Sequence, residues 1–304
     1  MFSRPVSTYS IVAIDKRSGE MGVAVQSHWF SVGSVVTWAE AGVGVVATQA
    51  FVEASYGPLG LALMRGGKKP QEALKSLLVT DPRPEVRQVA MLDARGRVAA
   101  HTGKKCVAEA GHITGRGFSC QANIMRSKKV WRAMANSFRK SKGNLSERLV
   151  LALESAEQAG GDLRGRQSAA ILVVKVEVSG SPSQHRVIDL RVEDNPRPLV
   201  ELRRLLKIHQ AYTHANEGDL LLERGDMKRA VEEYERSAAL YPANVELRFW
   251  EAVTLINHGD LDRGKTLLKR VFKTNEDMRV LLKRLPQVGL LKADGETLQK
   301  LLKL

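Results

Sequence analysis

Short runs of β-branched and apolar residues, separated by turn residues, fill the opening of the chain. Residues 8–14 form the first run, a turn follows at 15–19, and residues 21–27 return as a second run. Residues 35–40 and 43–49 form a second pair. Runs of this length between turn signals are typical of strands. Both pairs predict hairpins, so we expect an antiparallel meander at the start of the chain.

The pattern then changes to helices, back to strands, to helices again and to strands. The predicted segments after the meander are helices at 59–64 and 71–79, strands at 89–92 and 98–100, a glycine-rich stretch with Gly111, Gly115 and Gly117, helices at about 127–140 and 145–158, the apolar run 169–178 and a strand at 187–192. Single crossover helices do not alternate with strands, which argues against a doubly wound parallel sheet. We therefore predict an α+β fold with two stacked antiparallel sheets and helix pairs outside, a four-layer αββα sandwich.

The sequence pattern in the last third of the chain predicts helices only. Turn residues at 194–198 mark a boundary, which predicts one domain at 1–197 and a helical domain at 198–304. Gly225-Asp226 recurs as Gly259-Asp260 after 34 residues, with small and apolar residues at matching positions. This period resembles tetratricopeptide repeats. The second copy departs from the pattern, because Gly264 stands where alanine is usual and the closing proline is missing. Two copies are few, so we expect flanking helices to support them.

Charge and composition narrow the classes of function. The net charge is +14, but the basic residues are spread along the chain and aromatic residues make up only 5%. A stacking surface for bases is therefore poorly supplied, and nucleic acid is not an expected partner. No apolar run is long enough to cross a bilayer, and the start lacks a signal-peptide pattern, so we predict no membrane association and a cytoplasmic protein.

Several motifs are specific in combination. They are residues 8–13, Ser27-His28, residues 41–49, residues 100–103, residues 117–123 and residues 160–168. Together they resemble domain-of-unknown-function family 1028, over roughly residues 8–195. The resemblance implies a fold like that of the N-terminal-nucleophile (Ntn) hydrolases, in which a Thr, Ser or Cys at the start of a central strand becomes the first residue of the mature chain.

Thr8 matches the nucleophile position of that fold. A threonine hydroxyl is a weak nucleophile and needs an adjacent base, which a free α-amino group of the same residue can supply. Acyl transfer also needs donors for the developing oxyanion, and Gln49, Asn123 or backbone N–H groups are candidates. His28 is the second candidate catalytic residue. Both residues also have purely structural interpretations. A threonine in a β-branched run is more often only strand-forming, and a histidine such as His28 is as often packed or hydrogen-bonded as catalytic.

The sequence departs from this scheme in two ways. Seven residues precede Thr8, so its amine lies in a peptide bond, and removal of Met1 would expose Phe2. Activity of this type requires cleavage between Ser7 and Thr8. Between Arg17 and Arg65 there is no Lys or Arg, so a lysine that lowers the amine pKa is missing there. Burial of the amine or His28 would have to do this instead.

The remaining candidates would bind substrate. They are Ser27, Thr48, Gln49, His101, Ser119, Gln121, Asn123, Asp162 and Arg164. Asp162 and Arg164 either pair structurally or anchor an anionic group. His101, His112 and the two cysteines lack paired ligand spacing, so no metal and no cofactor is expected.

Two functions remain in competition at this point. The first is an amidohydrolase that acts on a small amide or peptide-like substrate. A homo-oligomer is compatible with this interpretation. The alternative is a non-catalytic binding or scaffold protein that uses the helical tail for protein partners. The state of the Ser7–Thr8 bond separates them.

Overall fold

Two antiparallel sheets form the core of the N-terminal part of the molecule. The computed structural model describes residues 8–180 and 185–304. The first sheet consists of β1 (Thr8–Asp15), β2 (Glu20–Ser27), β7 (Gly111–Gly115), β8 (Phe118–Asn123), β9 (Ser168–Lys175) and β10 (Arg186–Val192). The order of its strands is β10-β9-β2-β1-β8-β7, which places β1 near the centre.

The second sheet has four strands. They are β3 (Thr37–Glu40), β4 (Gly44–Ala50), β5 (Arg87–Asp93) and β6 (Val98–Thr102), in the order β3-β4-β5-β6. Apolar side chains from both sheets pack face to face, among them Val12, Val23, Val45, Leu92 and Leu172, all of them buried. Burial of this continuous apolar layer is the main stabilising contribution to the unit.

Four helices cover the outer faces of the sheets: α2 (Tyr56–Arg65), α3 (Pro70–Thr80), α4 (Lys129–Lys140) and α5 (Leu145–Gln158). A fifth, short helix, α1 (Gly33–Val36), lies between the two sheets. Helices α2 and α3 pack on the four-stranded sheet, and α4 and α5 pack on the six-stranded sheet. Each pair buries an apolar stripe, for example Leu61 and Leu74 on one side and Met134 and Leu149 on the other.

The predicted opening meander is only half right. Both hairpins are present, but β1–β2 lies in the six-stranded sheet and β3–β4 in the four-stranded sheet. The predicted strand at 35–40 is also wrong in its first residues, because the chain crosses between the sheets there in the short helix α1. The Thr37 hydroxyl donates to the carbonyl oxygen of Gly33 at 2.8 Å and closes this turn. A Cβ at Gly33 would lie 2.6 Å from the Cβ of Ala170, so only glycine fits the crossing.

The glycine-rich stretch is in fact a hairpin of two strands, β7 and β8. A Cβ at Gly111 would lie 2.7 Å from the Trp131 ring, and a Cβ at Gly115 would lie 2.1 Å from the Phe118 ring. The two glycines therefore make room for aromatic rings. Glycine is unfavourable in strands, which is why the sequence pattern did not predict this hairpin.

The C-terminal part of the chain is helical. Its helices are α6 (Pro198–Glu223), α7 (Met227–Leu240), α8 (Val245–Asn257), α9 (Leu261–Thr274), α10 (Asp277–Arg284) and α11 (Gly295–Leu302). The chain divides into two compact units, Met1–Arg204 and Leu205–Leu304, with the division inside α6. We call them the N-terminal unit and the C-terminal unit. Among the described residues, every helix is too short or too polar to traverse a lipid bilayer.

The repeat of 34 residues is visible in the helix ends. Gly225 and Gly259 both have a left-handed backbone, with φ of 82° and 93°. Each is followed by an aspartate that caps the next helix: Asp226 accepts from the backbone N–H of Arg229, and Asp260 accepts from that of Arg263, both at 3.2 Å. A left-handed glycine followed by a capping aspartate both ends one helix and starts the next, so the same turn occurs twice.

Candidate functional site

Thr8 lies at the start of a central strand. It pairs with Ser27 at the end of β2 and with Asn123 at the end of β8. Since antiparallel neighbours bring the start of one strand to the end of the next, these three residues meet at one edge of the sheet. Thr8 and Ser27 are completely buried, and the Thr8 hydroxyl donates to the Ser27 hydroxyl at 3.2 Å.

A hydrogen-bonded chain links β1 to the opposite sheet. The Ser10 hydroxyl donates to Gln49 Oε1 at 2.6 Å and accepts from Gln121 Nε2 at 2.6 Å. Gln49 Nε2 donates to the Thr8 carbonyl oxygen at 3.2 Å. Ser119 donates to Gln121 Oε1 at 2.9 Å. Since all of these side chains are buried, their hydrogen bonds fix the distance between the two sheets beside Thr8.

Gln88 is the centre of this network. Its Oε1 accepts from Gln49 Nε2 at 2.7 Å and from Asn123 Nδ2 at 3.0 Å. Its Nε2 donates to Thr102 Oγ1 and to the backbone oxygen of Ala122, both at 2.9 Å. Gln88 therefore orients both amides that were predicted as oxyanion donors. Gln88 was not among the residues predicted from the sequence, because a polar residue directly before an apolar run is common where a strand begins.

The network extends to the far edge of both sheets. Thr102 Oγ1 lies 2.8 Å from His112 Nδ1, and both residues are half-buried. Burial lowers the pKa of His112, and the nearby His101 lowers it further. His101 itself faces the other side of β6, where its Nε2 lies 2.9 Å from the Pro84 carbonyl oxygen. The structure thus brings His112 to the network, and places His101 beside it rather than in it.

His28, Asp162 and Arg164 form a separate cluster beyond the end of β2. The backbone N–H of His28 donates to Asp162 Oδ2 at 3.1 Å, and the His28 ring lies 3.4 Å from the Arg166 carbonyl oxygen. Arg164 pairs with the buried Asp162 carboxylate at 3.3 Å. Asp162 thus connects the end of β2 to the loop before β9. This contact supports the structural role considered for the pair, while a role in catalysis or substrate binding stays a prediction.

Thr48 points away from the site. It precedes Gln49 on β4, and successive side chains of a strand point to opposite faces. Its hydroxyl donates to the Glu53 carbonyl oxygen at 3.1 Å, on the helix side of the sheet. Of the predicted residues, the structure therefore brings together Thr8, Ser27, Gln49, Ser119, Gln121 and Asn123.

Three residues next to this edge have a strained backbone. Ser31, Ala50 and Ile124 have φ of 54°, 69° and 59°, which is a left-handed conformation that residues other than glycine rarely adopt. Ala50 directly follows Gln49, and Ile124 directly follows Asn123. Such strain is found preferentially at functional sites, where the surrounding structure has to hold it.

The cysteines are not activated. Burial raises the pKa of Cys106 to about 11, and it also raises that of Cys120, which is fully buried. Neither forms a disulfide. Among the described residues, no group of three or more His, Cys, Asp or Glu side chains could hold a metal ion.

Comparisons with known proteins cover both units. The sequence model of a family of unknown function, DUF1028, matches residues 8–202, and a tetratricopeptide repeat model matches residues 221–285. A similar solved structure is the crystal structure of protein SPO2555 from Silicibacter pomeroyi, described as DUF1028. It is 29% identical, with a TM-score of 0.60, over 66% of this chain and 88% of that one. None of the curated proteins matches this chain.

Proposed function

Because the chain belongs to the DUF1028 family, over residues 8–202, we propose that its N-terminal unit is an amidohydrolase of the N-terminal-nucleophile type. It would have the αββα architecture of those enzymes and act on a small amide or peptide-like substrate. The observation that carries the proposal is the placement of Thr8, which is buried at the start of a central strand with its hydroxyl bonded to Ser27.

Activation requires hydrolysis of the Ser7–Thr8 peptide bond. Water supplies the hydroxyl that completes the Ser7 carboxylate and the proton that completes the Thr8 amine. An α-amino group has an unperturbed pKa of about 7.7–8.0, so part of it is neutral at neutral pH and can accept a proton. No Lys or Arg lies between Arg17 and Arg65 to lower this pKa, so the neutral fraction has to serve as the base.

The chemical steps then follow from the same residue. Thr8 Oγ1 attacks the substrate carbonyl carbon while its proton passes to the Thr8 amine. Asn123 Nδ2 donates to Gln88 Oε1 and is the side-chain donor proposed for the oxyanion. Gln49 Nε2 donates to Gln88 Oε1 and to the Thr8 carbonyl oxygen, so both of its N–H groups are in use and it would have to release one to serve the same purpose. The protonated amine next gives its proton to the leaving nitrogen, and an acyl ester forms on Thr8. Water hydrolyses this ester in the second half of the cycle.

The surroundings of the site support the proposed class of substrate. Val107 and Leu163 are 43% and 53% exposed, and both are bonded through their backbones to Ile124, which follows Asn123. Arg164 lies next to Leu163 and is about one-third exposed. An apolar rim beside an arginine suits an amide with an apolar substituent and an anionic group.

Mass spectrometry of the purified full chain tests the proposal. We expect a chain that begins at Thr8 and that gains the mass of a β-lactone probe on Thr8. Thr8→Ala should lose the adduct and the amidase activity. Thr48→Ala is the matched control, since this buried threonine faces the helices, and it should retain both. Turnover of amide substrates by a protein that still carries residues before Thr8 would contradict the mechanism.

A second candidate function rests on the tetratricopeptide match at 221–285. Repeats of this kind commonly bind protein partners. A groove of about 400 Å³ lies between α7, α8 and α9, and its lining includes Val231, Glu235, Arg248, Leu255 and Leu267. A partner that binds there should be recovered by the full chain and lost with Glu235→Lys, while Thr8→Ala should leave this binding unchanged. Equal recovery by wild type and Glu235→Lys would argue against this groove.

A further inference from the structure

A groove opens where the edge strands of the two sheets meet, away from Thr8. Strand β6 is an edge of the four-stranded sheet and β7 is an edge of the six-stranded sheet, and the two lie side by side. Helix α3 forms the other wall. The groove has a volume of about 520 Å³, within the range of small-molecule sites. Its apolar lining consists of Leu74, Leu78, Val79, Pro84, Val98, Ala99 and Ala100.

His112 lines this groove and contacts the buried network through Thr102. Gln88 Nε2 donates to Thr102 Oγ1 at 2.9 Å, and His112 Nδ1 lies 2.8 Å from the same oxygen. A hydroxyl can donate its proton and accept through two lone pairs, so the direction of the Thr102–His112 bond depends on the tautomer of His112. Donation by Thr102 to Nδ1 would leave the proton of the neutral ring on Nε2, where it could donate to a ligand. Burial and His101 lower the pKa of His112, which favours the neutral ring.

The charge of the lining is positive. Lys75 lies on α3 at the groove and is exposed. None of the described residues that line the groove is acidic. His101 Nε2 lies 2.9 Å from the Pro84 carbonyl oxygen, so it donates there and its ring is held against the groove wall. A single cation and a ring N–H donor beside apolar walls favour an anion with an apolar body.

We propose that this groove binds a small carboxylic acid with an apolar alkyl or aryl body. The body packs against Leu74, Leu78 and Val79, and the carboxylate accepts from His112 Nε2–H and pairs with Lys75. The site does not involve Thr8 and is independent of the proposed amidohydrolase activity. It is nevertheless connected to that region, because His112, Thr102 and Gln88 form one continuous hydrogen-bonded chain.

Titration of the full chain with octanoate tests this proposal, with octylammonium as the cation of the same length. Isothermal calorimetry gives the affinity, and the side-chain amide signals of Gln88 in ¹⁵N NMR report on the connected network. We expect octanoate to bind at least about tenfold more tightly than octylammonium, because only the anion can use a ring N–H donor and a lysine. Saturable binding of octanoate should also shift the Gln88 signals.

Two variants separate the contributions of the two polar groups. Lys75→Ala should weaken octanoate binding about threefold to fivefold, as expected for an exposed ion pair. Lys68→Ala is its control, because Lys68 is exposed in the turn before α3 and does not line the groove; it should bind like wild type. His112→Asn keeps an acceptor near Thr102 but removes the Nε2 donor, and should weaken binding about tenfold.

Several results would overturn the proposal. They are equal affinity for octanoate and octylammonium, unchanged octanoate affinity in Lys75→Ala, unchanged octanoate affinity in a folded His112→Asn, or no saturable octanoate binding by wild type. His112→Asn could also disturb folding, so its unfolding temperature is measured in parallel. Lys75→Ala alters an exposed side chain and keeps the test decisive whatever the stability of the histidine variant.

Discussion

Gln49 and Gln88 face each other on neighbouring strands, and the Gln49 amide donates to Gln88 Oε1 at 2.7 Å. Gln88 also accepts from Asn123, which belongs to the opposite sheet. One buried carboxamide thus holds both predicted oxyanion donors in place. A buried polar network of this kind is costly to disturb, because each group that loses its partner keeps its desolvation cost.

We therefore expect Gln88→Leu to lower the free energy of unfolding by about 3 to 5 kcal/mol, since several buried partners would be left unpaired. Urea unfolding followed by circular dichroism measures this change. Gln26→Leu is the control. Gln26 is also fully buried, but neither atom of its side-chain amide has a hydrogen-bond partner among the described residues. That variant should be neutral or more stable by about 1 kcal/mol. Similar losses in both variants would contradict the role of the network.

A buried ion pair gives the fold a dependence on pH. The Arg87 and Asp81 side chains are 2% and 4% exposed, with Nε 2.7 Å from Oδ2. Burial alone would raise the pKa of Asp81, but its hydrogen bonds with Arg87, the Arg83 backbone N–H and Tyr56, together with the positive charge of Arg87, outweigh burial and the pKa is lowered. Because the pKa of Asp81 is lower in the folded state, the ion pair contributes fully to stability when the pH is above the pKa of Asp81 in the unfolded chain, about 3.9. It is lost as the pH falls further, through the folded pKa.

Replacement of the carboxylate should reproduce that loss at neutral pH. We expect Asp81→Asn to cost about 3 to 5 kcal/mol at pH 7, because it leaves the buried Arg87 without its anion. Asp189→Asn is the control, since its partner Arg186 is 55% exposed, and it should cost less than about 1 kcal/mol. Unfolding curves at pH 7 and at pH 3 check both statements. A cost for Asp81→Asn that stays equally large at pH 3 and below would contradict the assignment.

Gly264 departs from the alanine that is usual in such repeats, and the packing explains why. A Cβ at Gly264 would lie 2.4 Å from Ile256 Cγ1 and 3.1 Å from the Ala252 carbonyl oxygen. Gly264→Ala should therefore destabilise the C-terminal unit by about 1 to 3 kcal/mol, despite the better helix propensity of alanine. Chemical denaturation measures this. Gly295→Ala, with no atom within 4 Å of its new Cβ, should change stability by less than about 0.5 kcal/mol.

A double-mutant cycle identifies the contact responsible. Ile256→Ala removes the atoms that a Cβ at Gly264 would meet. If the clash is the cause, Ile256→Ala should cost less in the Gly264→Ala background than in wild type. Additive effects of the two substitutions would mean that Ile256 is not the obstacle.

Substitution of Ala50 tests whether its left-handed backbone, at the edge of the site, is strained. Its φ is 69°, and its side chain is 2% exposed. Glycine adopts this backbone without strain, so Ala50→Gly should be neutral or stabilising by up to about 1 kcal/mol. Ala47→Gly, at a fully buried position in the same strand, should destabilise by about 1 kcal/mol or more. Thermal unfolding compares the two variants, and equal losses would show that Ala50 is not strained.

The strands and helices were largely predictable from the chain because their signals are local. Residues 8–14 carry a β-branched run and residues 145–158 a helical period, and both form the expected elements, β1 and α5. The turns of the helical repeat were also predictable, since a left-handed glycine and a capping aspartate act within a few residues. The β7–β8 hairpin was not, because its glycines are explained only by the rings of Trp131 and Phe118.

The sequence by itself determined most of the strand and helix segments and the change to helix near residue 198, because these depend on short-range patterns. It also made Thr8 a candidate nucleophile, through a family resemblance that begins at the first strand. Only the tertiary structure decided that Thr48 faces away from the site and that Gln88 orients Gln49 and Asn123. It also decided that His112 joins Thr102 at the meeting of two sheet edges. Each of these relationships joins residues on different strands, and their distance is set by how the two sheets pack.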